Sequence, residues 1–186
     1  NRQGNIFLID RICAKFQSEE INEAIGNIPL FTNITTYNIF REKPKNPVIL
    51  YNIAKDRYKV KRSPLAYYIP SGSTVMSLMI EMAVYMGFSE IYLIGCDCTS
   101  TFSGNTHFIQ GYTDDKLKQR DAKKIIDRMR RLGIQSDDYE KYFLDGSLNA
   151  YTLLKEHAIK HGVTIYNATR GGALEVFDRV DLDQFI

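Results

Sequence analysis

The chain has 186 residues, 44% of them hydrophobic and 25% charged, which fits one globular domain with a full core and excludes a disordered segment. A formal charge of +2 excludes a general nucleic-acid binder and an acid-rich tail, so charge has to be read locally. Three cysteines, Cys13, Cys96 and Cys98, follow no regular spacing; they exclude a disulfide framework and point to a reducing compartment. No apolar run approaches the ~20 residues of a spanning helix, and no charged-then-apolar leader opens the chain. The expectation is a soluble, cytoplasmic protein.

The chain opens at Asn1 and enters a strand-like run almost at once, as in a fragment or a chain whose first segment is missing. Ile6 to Ile9 reads as a short buried strand, and Gln17 to Ile25 as a helix that Gly26 ends. Ile28 to Thr32 reads as a second strand and Val48 to Ile53 as a third, with Tyr37 to Asn46 a loop between them. Lys55 to Arg62 is basic and irregular. After Pro70, the residues Val75, Leu78, Met79, Met82, Ala83 and Met86 recur at three- and four-residue intervals, which predicts a helix with an apolar stripe, closed by Gly87.

Ile91 to Ile94 is a continuous apolar strand of the interior parallel type, leaving its sheet at Gly95-Cys96-Asp97. Thr99 to Thr113 is polar and glycine-punctuated, long enough for a functional loop. A second amphipathic helix runs over Asp115 to Leu132, with Ala122, Ile125, Ile126, Met129 and Leu132 inward. A third runs over Ser147 to His161, with Leu148, Tyr151, Leu154 and Ala158 inward, and Gly162 stops it. Val163 to Asn167 is the last strand, before a turn at Gly171-Gly172. This alternation predicts an α/β fold over residues 1–186: a single domain with a Rossmann-like parallel sheet and helices on both faces.

Several stretches carry chemistry. Ser71-Gly72-Ser73-Thr74 places small residues and free N–H groups at a helix N-terminus, where a phosphate binds; ordinary capping by Ser71 or Ser73 accounts for the same residues. It is not a Walker loop, because no Gly-Lys-Ser/Thr ending follows. Asp97 lies just past a buried strand, where open α/β sheets present ligand-binding groups, and it fits a sugar hydroxyl, a base amine or a metal as well as a plain turn. His107, in the polar loop, suits deprotonation of an acceptor hydroxyl; His157 and His161 read as surface residues. Asn167-Ala168-Thr169-Arg170-Gly171-Gly172 follows the last strand, and Arg170 beside two glycines suits a phosphate or carboxylate. The helix from Lys116 to Arg131 is rich in lysine and arginine: a solvated face, or a contact with an anionic membrane surface or a polyanionic substrate. Asp181-Leu182-Asp183 has the spacing of metal-dependent sugar transferases, but the pattern is short and common, and no metal is assigned to it. Cys96 and Cys98 read as buried residues of a strand end.

Gly72 to Val75, Met86-Gly87-Phe88 with Ile91 to Asp97, His107-Phe108, and Ile165 to Gly172 with Leu174-Glu175-Val176-Phe177 resemble the MptE-like family. That family is named for an archaeal 6-hydroxymethylpterin pyrophosphokinase and is related to bacterial motility accessory factors thought to transfer nonulosonic acids. Many bacterial members sit among capsule and surface-polysaccharide genes. A more distant likeness joins Ser71 through Asp97 to the family 42 sialyltransferases. It implies transfer of a sialic-acid-like sugar from a CMP donor to a saccharide acceptor, without a metal or a separate cofactor. Ser71, Gly72, Ser73, Thr74, Asp97, Asn167, Thr169 and Arg170 would then contact the donor. The sequence departs from the sialyltransferases in lacking the glycine-rich nucleotide loop and the catalytic histidine before the third helix, where it reads Tyr142 to Ser147; His107 or Asp145 is the base in its place. The family's naming activity implies the alternative, an ATP-dependent pterin pyrophosphokinase that needs Mg²⁺. A non-catalytic nucleotide-binding module is the third reading.

Overall fold

The computed structural model describes residues 4, 6–8, 11–51, 75–98, 123, 126–127 and 129–184. Strands β1 (Ile6–Leu8), β2 (Leu30–Asn33) and β3 (Val48–Tyr51) form a parallel sheet in the order β1-β2-β3. A second parallel sheet, β4-β5-β6, consists of β4 (Glu90–Leu93), β5 (Thr164–Asn167) and β6 (Asp178–Arg179). Five helices accompany them: α1 (Arg11–Phe16), α2 (Ser18–Ile25), α3 (Ile34–Ile39), α4 (Val75–Tyr85) and α5 (Ser136–Lys160). The class is α/β with small parallel sheets. The chain divides into two compact units, Asn1–Ser89 with His161–Val163, and Glu90–Lys160 with Thr164–Ile186. No helix among the described residues is long and apolar enough to cross a membrane.

In the first unit β2 is buried at all four positions, as a strand between two parallel neighbours should be. Its core joins Ala14, Ile25, Leu30 and Phe40, with Ile21, Ile28 and Val48 at the margin. Two readings of the sequence change here. The helix expected over Gln17 to Ile25 is preceded by a separate α1, the chain breaking at Gln17. The expected loop from Tyr37 begins inside α3, whose β-branched Ile34, Thr35 and Thr36 disguise it. A cap rescues this helix: the Asn33 side chain accepts from the Thr36 N–H at 2.9 Å and donates to Thr36 Oγ1 at 2.9 Å.

In the second unit α5 packs on β5 through Tyr151, Leu154 and Ala158, the face that the periodicity predicts. The Tyr151 and Phe177 rings meet edge to face at 5.8 Å. The helix begins 11 residues before the expected Ser147 and runs through Asp145-Gly146, a glycine that costs about 1 kcal/mol in a helix interior. The two-residue β6 was not expected at all; a strand so short carries no alternation to read. The second expected helix lies largely outside the described residues. Of its inward set Met129 is half-buried, but Ile126 and Leu132 are exposed, because periodicity reports amphipathicity and not what covers the stripe.

Helix α4 lies against β1 and departs from its expected stripe. Leu78 and Met82 are buried, but Met86 is exposed, and the remaining buried positions are Ser77, Ile80, Glu81 and Val84. A helix that is apolar on most sides gives a weak periodic signal. Ser77 Oγ and Glu81 Oε2 lie one turn apart, both buried, and neither has a hydrogen-bond partner among the described residues. Burial pushes the Glu81 carboxyl up to about 7 from 4.5. The folded chain thus holds this proton more tightly than the unfolded one. Stability from Glu81 is full below about pH 4.5, falls as the pH rises to about 7, and stays lost above. Glu81→Gln should accordingly stabilise the protein by up to ~3 kcal/mol at pH 8, while changing it little near pH 4.5. Urea unfolding at the two pH values measures the difference.

Candidate functional site

Parallel register sets Leu93 of β4 beside Asn167 of β5, so the residues following both strands emerge at one edge of the sheet. The pairing continues past the strands: the Ala168 N–H donates to Leu93 O at 2.9 Å. The Thr169 hydroxyl then ties the two loops together, accepting from the Cys96 N–H at 3.0 Å and donating to Leu93 O at 3.4 Å.

Asn167 is fully buried. Its Nδ2 donates to Leu174 O at 2.7 Å and its Oδ1 accepts from the Thr169 N–H at 3.0 Å, which folds residues 168–174 into a turn. Gly171 and Gly172 occupy φ of +75° and +79° within it. Gly172 is pressed onto the other loop: a Cβ there would lie 2.4 Å from Asp97 O, and the next N–H, of Ala173, donates to that same oxygen at 2.6 Å.

Arg179 at the end of β6 holds the turn from its other side. Its Nη1 donates to Thr169 O at 3.1 Å and Gly171 O at 2.9 Å, and its Nη2 to Gly172 O at 3.1 Å. The Nε and Nη2 groups pair with the Glu175 carboxylate. These hydrogen bonds, then the charge of Arg179, hold the Glu175 carboxyl below its ordinary value. Arg170, by contrast, is exposed, and its Nη2 reaches both oxygens of Asp183 at 2.9 and 3.0 Å.

The structure therefore brings Asp97, Asn167, Thr169 and Arg170 to one sheet edge, as expected. The Asp97 side chain is exposed there and has no hydrogen-bond or ion-pair partner among the described residues. None of the three cysteines forms a disulfide among the described residues. Burial, followed by the charges of Cys98 and Asp97, pushes the Cys96 thiol up to about 11, and burial with Asp97 raises Cys98 as well. Both therefore stay protonated and are poor nucleophiles.

Ser71, Gly72, Ser73, Thr74 and His107 lie outside the described residues. Asp145 is an exposed residue inside α5, not in a loop, and makes no hydrogen bond or ion pair among the described residues. Asp183, read for its Asp-x-Asp spacing, is engaged by Arg170, and its N–H by Asp181 Oδ1 at 3.1 Å. Arg179 and Glu175 escaped the sequence reading, since nothing in their spacing marks a clamp. The first unit carries an open cleft of about 620 Å³ between Glu19, Glu23, Glu42, Lys43 and Lys45, which no expected site residue lines. No family model matches the chain, nor does any curated protein or any solved structure.

The contact at Gly172 is directly testable against Gly95, which also has positive φ, at +73°, but has open space where its Cβ would go. Gly95→Ala should cost about 1–2 kcal/mol for its left-handed backbone alone. Gly172→Ala should cost more, because the overlap with Asp97 adds to the same strain. Chemical unfolding of the two variants ranks them.

Proposed function

We propose that this protein is a nucleotide-sugar glycosyltransferase of sialyltransferase-like type, using a CMP-sugar donor and a saccharide acceptor in bacterial surface-polysaccharide synthesis. The observation that carries the reading is the convergence of the Asp97 loop and the Thr169–Gly172 turn beyond the carboxyl ends of β4 and β5. Ligands of open parallel α/β sheets bind in that position. The exposed Asp97 carboxylate accepts hydrogen bonds from sugar hydroxyls or a base amine, and Arg170 pairs with phosphate.

The likeness to the MptE-like family and to the sialyltransferases supplies the rest of the proposal. The Ser71–Thr74 segment holds the donor phosphate, and His107 removes the acceptor proton as the sugar leaves CMP. The two small sheets are each wholly parallel, which supports the Rossmann-like assignment by analogy. A cytoplasmic location, with peripheral contact to an anionic membrane surface through the helix 116–131, belongs to the same proposal. Exposed Ile126 and Leu132 beside the exposed Lys123, Arg130 and Arg131 support that contact.

Thermal-shift titration with CMP, CDP, UDP, ATP and GTP tests the reading, since a ligand at 100 times its Kd adds ~2.7 kcal/mol to the folded state. CMP should raise Tm with or without a chelator, and Asp97→Asn should weaken the donor sugar nucleotide about tenfold. A shift confined to ATP with Mg²⁺ would favour the pyrophosphokinase instead. CMP binding without sugar transfer or hydrolysis would leave a binding module.

A further inference from the structure

We infer that the turn after β5 is an oxyanion cradle in which the main-chain N–H groups of Arg170 and Gly172, oriented by Arg179, hold a phosphate group. This rests on the donor-site reading and specifies which atoms take the phosphate.

In a planar trans peptide each carbonyl points opposite to the N–H of the next residue. Arg179 draws three carbonyls of this turn toward itself, those of Thr169, Gly171 and Gly172. The N–H groups of Arg170, Gly172 and Ala173 are therefore turned away from the guanidinium. Ala173 verifies the geometry, since its N–H goes to Asp97 O on the facing loop. The other two N–H groups have no hydrogen-bond partner among the described residues. Negative φ at Arg170 followed by positive φ at Gly171 is the alternation of hand that gives successive amides the concavity of an anion-binding nest.

Arg179 itself is a positioning residue. Its Nε, Nη1 and Nη2 groups are all engaged, by three carbonyls and Glu175, so it orients the amides without touching the anion. The side chain of Arg170 stands at the rim. Its pair with Asp183 is exposed on both sides and worth little, so the guanidinium can turn to an incoming phosphate at small cost. The Asp97 carboxylate keeps the attraction of a free phosphate modest, and millimolar concentrations are the appropriate range.

Amide NMR on the ¹⁵N-labelled full chain, titrated with inorganic phosphate and then with CMP, reads the cradle directly. The Arg170 and Gly172 amide protons should move downfield while that of Ala173, already bonded, stays. Arg179→Lys should abolish the two shifts and weaken phosphate about tenfold. Arg170→Ala should weaken phosphate less and keep the Gly172 shift. If Arg179→Lys fails to fold, the wild-type shifts decide alone. CMP that perturbs other residues of the Glu90–Ile186 unit but leaves Arg170 and Gly172 still would overturn the cradle and leave the donor-site reading standing. No perturbation by either ligand would remove both.

Discussion

The buried amide of Asn167 is the constraint on which the loops at the carboxyl edge of the second unit's sheet depend. An amide out of water costs several kcal/mol unless its hydrogen bonds are replaced. Here the side chain binds the Thr169 N–H on one side and the Leu174 carbonyl on the other, while its own carbonyl accepts from the Val180 N–H at 3.0 Å. The chain is thereby bent back at once after β5. That bend lets Leu174 and Phe177 bury completely and brings β6 alongside β5, which in turn delivers Arg179 to the carbonyls of the turn. Removing the amide would release each of these in sequence, because none of the later contacts is close in the chain to what it touches.

Charge in this region is arranged in pairs around an exception. Arg179 is matched by Glu175, Arg170 by Asp183, and Lys155 by Asp178 at 3.3 Å with a second bond to Val176 O at 2.8 Å. Exposed pairs of this kind add little stability, so their value lies in direction. Arg179 points carbonyls, Lys155 fastens α5 to the segment before β6, and Arg170 is parked at the rim. Asp97 has no such counterpart among the described residues. With the neighbouring thiols kept neutral by burial, it is the acidic group at this edge with hydrogen-bonding capacity left for a ligand.

Much of the architecture was legible because it follows from patterns with a direct physical cause. The apolar run at Ile91–Ile94 marked a strand, but not an interior one: β4 stands at the edge of its described sheet, with Ile91 and Tyr92 half-buried and Ile94 exposed, whereas the spacing of Tyr151, Leu154 and Ala158 did mark the face turned to a core. Glycine marked the ends of helices at Gly26, Gly87 and Gly162, all of which have positive φ. The failures came where tertiary packing overrode local preference. A capped helix formed over Ile34–Ile39 despite its β-branched residues, and α5 ran through Gly146 where the turn that follows, with Ser147, Ala150 and Tyr151, is buried. On α4 the stripe was right at Leu78 and Met82 and incomplete elsewhere, since buried Ser77 and Glu81 are letters that a hydrophobic stripe does not count.

The meeting of the Asp97 loop and the turn after Asn167 was legible in the sequence, and its atoms only partly. Polar letters after a strand attract notice, and Asn167, Thr169 and Asp97 were noticed for that reason. Buried polar groups are nearly always satisfied within the protein, and the hydrogen bonds of Asn167 and Thr169 hold the two loops against each other. The donors left at the surface of the turn are largely main-chain N–H groups, and these have no letter in a sequence. What reveals them is the pair of glycines with positive φ, one pressed to within 2.4 Å of a neighbouring carbonyl at the place of its missing Cβ, together with an arginine that gathers the opposing carbonyls. The side chains of Asn167, Thr169 and Arg179 thus act to aim the backbone, while Asp97 and Arg170 leave their own functional groups at the surface of the edge.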